Sequence, residues 1–380
     1  MDLLKFIQKE GIDAYLMHAD SLHNADMYYA TGFLAGDAFT YLYTGREILL
    51  VSGMEKGRAS KESKIDDVRS SSEYEFKDLL KVHKDDAEAY CIMLERLLKE
   101  EGCNSAAVPR DFPVYLADRL REDGFHIISI KSPISKTRER KNDNEIKVIS
   151  IAQRACEQAA AKALDVISKA QVRGDDLIIN GIPLSAQYIK ALIHHSLLDN
   201  ECEAHSSIVA CGPGSANPHW EGEGLLKTHQ PIVLDIFPRH MIYRYYSDMS
   251  RTVARGEPEP KIKEMYQAVL TAQKTAFDHI ISGVKSCEIH QAVCDSFTDA
   301  GFHVGDKEGF IHSTGHSVGL DIHEKPGIGP QDDILEAGNV VTVEPGLYYH
   351  DVGGVRIEDM VVVTKKGCKN LTKFNKNLLL

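Results

Sequence analysis

The 380-residue sequence contains one tryptophan, Trp220, and no cysteine pair spaced Cys-x-x-Cys. Its eight cysteines, at positions 91, 103, 156, 202, 211, 287, 294 and 368, are scattered. That distribution suits reduced thiols better than a disulfide frame, so a cytoplasmic location is expected. Positive charge is scarce: 44 Lys and Arg stand against 56 Asp and Glu, for a net charge of −12. A nucleic-acid or anionic-membrane partner is therefore not expected. No apolar stretch approaches the length that spans a bilayer. The start, Met1-Asp2-Leu3-Leu4-Lys5, reads as amphipathic and not as a secretory signal. Low-complexity tracts and short-period repeats are missing as well.

What is present is enough apolar sequence for two domains with cores of their own. In the first third, Asp13–Met17, Phe39–Tyr43, Ile48–Val51 and His126–Ile130 read as strands, and residues 84–101 and 112–122 carry helical periodicity. This is an α/β unit without a cluster of candidate ligands. The composition turns charged and loop-like at Arg138–Asn144, and an Ala-rich helical run follows from Glu145 to Ala170. The spacing predicts a first domain over 1–135 and a second over 136–380. In the second, helices are expected at 183–198, 259–281 and 286–300. Strands are expected at Ile208–Cys211, Ile232–Phe237, Ser250–Ala254, Val340–Glu344 and Val355–Thr364.

Five side chains in the second domain interrupt strand-like runs. Asp235 follows Ile232-Val233-Leu234, where an acid is disfavoured by β-propensity and by burial unless a cation offsets its charge. Asp248, thirteen positions later, falls in Tyr245-Tyr246-Ser247-Asp248-Met249. Such an interval suits two strands of a hairpin whose alternating side chains face one pocket. Glu344 ends Val340-Val341-Thr342-Val343, and Glu358 follows Val355-Arg356-Ile357. Arg356 and Glu358, two apart, would share a strand face. His316 stands between Gly315 and Gly319, with His312 and His323 in the same segment. Singly, each has a blander reading: a turn Asp, a salt-bridged Asp, a packed His, a surface ion pair. Together they form an oxygen-rich donor set with one nitrogen. That set suits Mn²⁺, Co²⁺, Fe²⁺ or Zn²⁺, and four carboxylates are more charge than one divalent ion needs. Two ions could hold a hydroxide, lower its pKa and polarise a carbonyl, with peptide or amide hydrolysis as the outcome.

The order Asp…Asp…His…Glu…Glu, with HSTGHSVGLDIHEKPG, VVTVEPGLYY and GGVRIED, resembles the metallopeptidase family that includes prolidase, aminopeptidase P and methionine aminopeptidase. The resemblance covers nearly the whole chain. It implies an α/β (α+β) protein, with a creatinase/prolidase-like N-terminal domain followed by a pita-bread catalytic domain. It further implies a dinuclear exopeptidase, an Xaa-Pro dipeptidase or Xaa-Pro aminopeptidase, acting through a hydroxide bridged by two metal ions, Mn or Co first and Zn or Fe next. Its partners would be small peptides with proline second and another copy of the chain in a homodimer. By the same resemblance Asp235 would hold one metal, Asp248 and Glu358 would bridge both, and His316 and Glu344 would complete the second site. Glu344 would also shuttle a proton. His219 would line the substrate pocket, His323 would stand near the scissile carbonyl, and His312 and Arg356 would bind or orient substrate.

Certain positions depart from the family pattern. Phe237-Pro238-Arg239 follows Asp235 where Asp-x-Gly is common, and the interval to Asp248 is two residues longer. An even insertion preserves strand parity. Ser313 and Ser317 stand where Gly is frequent, and Ser250 where Thr is frequent. Trp220 beside His219 would either narrow the pocket or pack in the core. A creatinase-like C–N hydrolase and a non-catalytic binding protein on the same fold are the other readings. Relatives of both kinds lack the metal ligands, whereas Asp235, Asp248, His316, Glu344 and Glu358 are all present here.

Overall fold

The computed structural model describes residues 3–204 and 206–380; Met1 and Asp2, the first two residues of the amphipathic start, lie outside them. The chain divides into two compact units, the first ending at Arg138 and the second beginning at Glu139.

In the first unit, six strands form one mixed sheet in the order Asp67–Ser70, Glu47–Val51, Phe39–Tyr43, Ala14–Ala19, Ser105–Pro109, His126–Ile130. Successive side chains of its central strands enter opposite cores. Ala14 and Leu16 pack with the helix Asp86–Glu100, whereas Tyr15 and Met17 pack with Met27, Phe33 and Ala59. A sheet covered on both faces has no polar side, which explains the nearly continuous apolar runs of these strands.

The second unit opens on the helix Asp143–Lys169. Asn142 caps it by accepting from the backbone of Asn144 and Glu145, and Glu145 closes the capping box on the Asn142 N–H. That cap starts the helix two residues before the expected Glu145. This helix and Ala186–Leu198 cover an antiparallel sheet of Ser207–Cys211, Ile232–Ile236 and Met249–Val253. The helices Pro260–His279 and Ser286–Asp299 share a second core with strands Val340–Val343 and Asp359–Thr364 of a five-stranded sheet. Strands Gly346–Tyr349 and Gly353–Arg356 form a separate hairpin. In each sheet one set of alternate residues faces the helices: Ile232, Leu234 and Ile236 in one, Val341 and Val343 in the other. The opposite set, including Asp235 and Thr342, is free to face the site.

One expectation needs correction. Val355–Thr364 is not a single strand: it breaks at Ile357 and Glu358 into Gly353–Arg356 and Asp359–Thr364, which belong to different sheets. At the break the Glu358 N–H donates to Ser250 O at 3.0 Å instead of to a ladder partner. Arg356 and Glu358 therefore do not share one strand's face. They reach the same place because the chain changes sheets between them.

Candidate metal centre

Antiparallel pairing sets Asp235 opposite Ser250 and Ile236 opposite Met249. By the same register Asp248 would face Phe237, two residues from Asp235 and on its side of the sheet. From the other sheet comes His316, in strand Gly315–Ser317; its backbone N–H donates to Thr342 Oγ1 at 3.0 Å. Thr342 Oγ1 in turn donates to Glu344 Oε1 at 3.2 Å, and the Glu344 N–H donates to Thr314 O at 2.8 Å. The His316 Nε2 lies 3.4 Å from Glu344 Oε1 and 3.6 Å from Asp248 Oδ2. Ligand atoms of Asp248, His316 and Glu358 all lie within 4.8 Å of one another.

These residues line one cavity of about 680 Å³, together with Asp235, Arg356, His219, His312 and His323. All the candidate site residues thus open into a single space. Asp235 Oδ1, Asp248 Oδ1 and Glu358 Oε1 are buried there without a hydrogen-bond partner among the described residues. A buried carboxylate oxygen with no donor costs a few kcal/mol, and three in one cavity are the complement of a cation. Burial, then the Glu358 charge, pushes the Asp248 carboxyl well above the usual range. Burial, then Glu344, does the same to Glu358. Glu344 is raised by burial to about 7. The donor set fits divalent metal ions.

Arg356 is a cation set directly among these acids. It donates through Nη2 to Asp235 Oδ2 at 2.8 Å, through Nη1 to Tyr348 Oη at 2.8 Å and through Nε to Ser250 Oγ at 2.9 Å. Ser250 Oγ in turn donates to Glu358 Oε2 at 2.9 Å. At 4% exposure this is no surface ion pair. Tyr348 Oη, already accepting from Arg356, lies 3.0 Å from His312 Nε2, and His312 Nδ1 lies 2.7 Å from Ser313 O. A carbonyl only accepts, so Nδ1 carries the His312 proton and Nε2 accepts from Tyr348. Burial lowers His312 to about 4, so its ring is neutral. His323 stacks edge-on to His316 with ring centroids 4.3 Å apart, and burial, then His316, lowers it to about 4.

His219 stands exposed on the cavity wall, just after the 3₁₀ turn Gly212–Ala216. The hairpin Gly346–Tyr349/Gly353–Arg356 sits directly on that turn: a Cβ at Gly354 would lie 2.1 Å from Ser215 O, and one at Gly353 2.7 Å from Gly212 O. Trp220 packs on Gly214, whose Cβ would fall 2.3 Å from the indole, and it is not part of the cavity wall. It is half-buried and belongs to none of the hydrophobic cores, so it neither narrows the cavity nor packs in a core.

Ser250, Thr342 and Tyr348 join the site without having been singled out as site residues. Tyr348 and Thr342 lie within the quoted VVTVEPGLYY segment, but nothing in their spacing distinguishes them from neighbouring β-formers.

The Metallopeptidase family M24 profile matches residues 147–365, and that of the Creatinase/Prolidase N-terminal domain matches residues 2–140. The Xaa-Pro dipeptidase of Pyrococcus horikoshii is 29% identical over 387 residues, covering 99% of this chain and 97% of its own. The solved structure of an Xaa-Pro dipeptidase from Bacillus anthracis is similar with a TM-score of 0.82 at 29% identity, covering 100% of this chain and 98% of that one. The structure of an X-Pro aminopeptidase from Thermotoga maritima gives a TM-score of 0.81 at 25% identity, covering 97% and 98%.

Proposed function

We infer, from the fact that this chain belongs to metallopeptidase family M24, that it is a metal-dependent exopeptidase hydrolysing the bond that precedes proline in short peptides. The observation that carries the reading is the convergence of four carboxylates and one imidazole on a single cavity, with three buried carboxylate oxygens lacking partners among the described residues. We assign Asp235, Asp248, His316, Glu344 and Glu358 as the residues that would hold two divalent ions. An oxygen-rich set with one nitrogen points to Mn²⁺ or Co²⁺ first, with Zn²⁺ and Fe²⁺ compatible. When bound, such ions supply an activated water and a Lewis acid for the scissile carbonyl.

The chain's own side chains do the rest. Glu344 opens into the cavity with Oε1 3.4 Å from His316 Nε2, where a carboxylate can exchange protons with a water held between the ligands. It takes a proton from the attacking water and returns it to the departing proline nitrogen, which must be protonated to leave as an amine. His323, neutral and beside His316, offers an N–H toward the oxyanion that develops on the carbonyl. His219 lines the substrate's side of the cavity. His312, fixed in one tautomer by Ser313 O, and Arg356 orient the peptide.

Between the two exopeptidase readings we favour the dipeptidase, because the Xaa-Pro dipeptidases of Pyrococcus and Bacillus anthracis are 29% identical over nearly the whole chain, against 25% for the X-Pro aminopeptidase. The Thermotoga X-Pro aminopeptidase structure is similar enough to make peptide length the deciding variable. The test is a panel of Xaa-Pro, Xaa-Pro-Yaa and Xaa-Ala peptides, run with Mn²⁺, Co²⁺ and Zn²⁺. Cleavage of Xaa-Pro alone supports the dipeptidase. Equal or faster release from Xaa-Pro-Yaa supports the aminopeptidase, and no cleavage of either rejects the reading. A cytoplasmic homodimer belongs to the same proposal. Among the described residues no helix is long and apolar enough to cross a membrane, and light scattering on the purified protein measures the assembly.

A further inference from the structure

The helix Pro260–His279 buries an apolar stripe that includes Ile262, Met265, Val269, Ala272 and Ala276. On this stripe stands Gln273, a polar side chain only 1% exposed. Burial of an amide is tolerated when its hydrogen bonds are made, and here each partner is informative. Gln273 Nε2 donates to Val343 O at 2.9 Å and to Ile357 O at 3.0 Å. Those carbonyls belong to the residues immediately before Glu344 and Glu358. One side chain therefore ties together the two segments that carry the glutamates, although they leave different strands. The far side of the amide is held too: Lys376 Nζ donates to Gln273 Oε1 at 2.5 Å and lies 2.6 Å from Asp359 Oδ2. An ammonium only donates and a carbonyl only accepts, so this arrangement fixes which end of the amide faces the strands.

We propose that Gln273 is a positioning residue that sets the separation of Glu344 and Glu358, and that Lys376 holds it in the orientation this requires. The proposal rests on the reading of those glutamates as metal ligands. An amide with both hydrogens spent on two carbonyls fixes the segments relative to one another, whereas either bond alone would fix only one of them to the helix. Any ion that would be held by both glutamates depends on that separation, and so would the coupling of a second ion through Glu358. Loss of the amide should therefore act on the second ion and on the coupling between the ions, beyond any effect on folding.

The test uses full-length metal-free protein as wild type, Gln273→Met and Lys376→Met. Each is titrated with Mn²⁺ and followed by electron paramagnetic resonance, at a temperature where circular dichroism shows the metal-free protein folded. Wild type with two equivalents should give the spectrum of an exchange-coupled pair. In Gln273→Met the second ion should bind about tenfold to a hundredfold more weakly, and the signal of isolated Mn²⁺ should appear. Lys376→Met should shift both in the same direction by less. Wild-type affinity and coupling in a folded Gln273→Met protein would overturn the proposal. If that variant does not fold, Lys376→Met decides, and wild-type behaviour there overturns it equally. Absence of a coupled pair in the wild type itself would instead sink the ligand assignment on which the proposal stands.

Discussion

Arg356 Nη2 and Asp235 Oδ2 meet at 2.8 Å across 121 positions of sequence, 5% and 14% exposed at their side chains. Burial alone would favour loss of the guanidinium charge, but Tyr348, Asp235 and Glu344 raise its affinity for the proton well above the ordinary value. It is thus a fixed charge compensating the acids around it. Arg356→Met should leave Asp235 and Glu358 uncompensated, at about 3–5 kcal/mol for a broken buried pair. The melting temperature of the chelator-treated protein should fall by roughly 10 °C, with part of the loss recovered on adding Mn²⁺. Differential scanning calorimetry with and without chelator measures both. An unchanged melting temperature would contradict the compensating role.

Glu344→Gln keeps the shape of the side chain and removes its proton exchange. kcat for an Xaa-Pro peptide should fall by at least about 10²-fold, while the metal-free protein keeps its circular dichroism spectrum. Comparable turnover in the variant would remove Glu344 from the proton-transfer role.

His316 and His323 lie side by side but are predicted to fail differently. His316→Ala should lower bound metal, read by elemental analysis after gel filtration. His323→Ala should retain metal and lose rate, by about 10²-fold if its N–H meets the oxyanion. If both variants lose the same amount of metal, the separation of their roles is wrong.

The carboxyls of the site predict a pH dependence whose sign is fixed by their elevation. Glu344 is raised from 4.5 to about 7 by burial, and burial raises Asp248 and Glu358 well above their ordinary values too. Below those values the folded, metal-free site retains protons that the unfolded chain releases near 4.5. Glu344 therefore lowers the stability of the metal-free protein as pH rises from about 4.5 to about 7, and Asp248 and Glu358 act in the same direction. Binding of a cation must expel the retained protons. Apparent metal affinity should rise with pH through about 7, and more protons should be released per ion at pH 6 than at pH 8. Calorimetric titration in two buffers of different ionisation enthalpy counts them. Equal counts at both pH values would show that Glu344 does not hold a proton in the empty site.

Much of this was legible because charged residues interrupt apolar runs. Asp235 after Ile232-Val233-Leu234, and Glu344 after Val340–Val343, stand out against their neighbours. The strands Phe39–Tyr43 and His126–Ile130 and the helix Ala186–Leu198 follow the periodicity of their residues. Other features leave no such mark. The alternation Val355, Ile357 continues unbroken through the point where the chain changes sheets, because both residues enter the same core. Strand Ser105–Pro109, with Ala106 and Ala107 at its centre, has too little β-branched character to be separated from a helix. Ser250 and Tyr348 matter through partners about a hundred positions or one hairpin away, which spacing does not encode. Gln273 did carry a signal, a polar residue on an otherwise apolar helix stripe.

The seat of the hairpin on the 212–216 turn bears on how inherited or engineered changes in this protein would be interpreted. Gly354 touches no substrate and no candidate ligand, yet any side chain there would collide with Ser215 O. Its substitution would push apart the turn that leads to His219 and the strand that ends in Arg356. A Gly354 variant would thus present as a catalytic defect in a screen for activity while every residue assigned to the chemistry remained intact. Sorting such genotypes by their distance from the cavity would misclassify it, and a backbone contact would be mistaken for a reaction step.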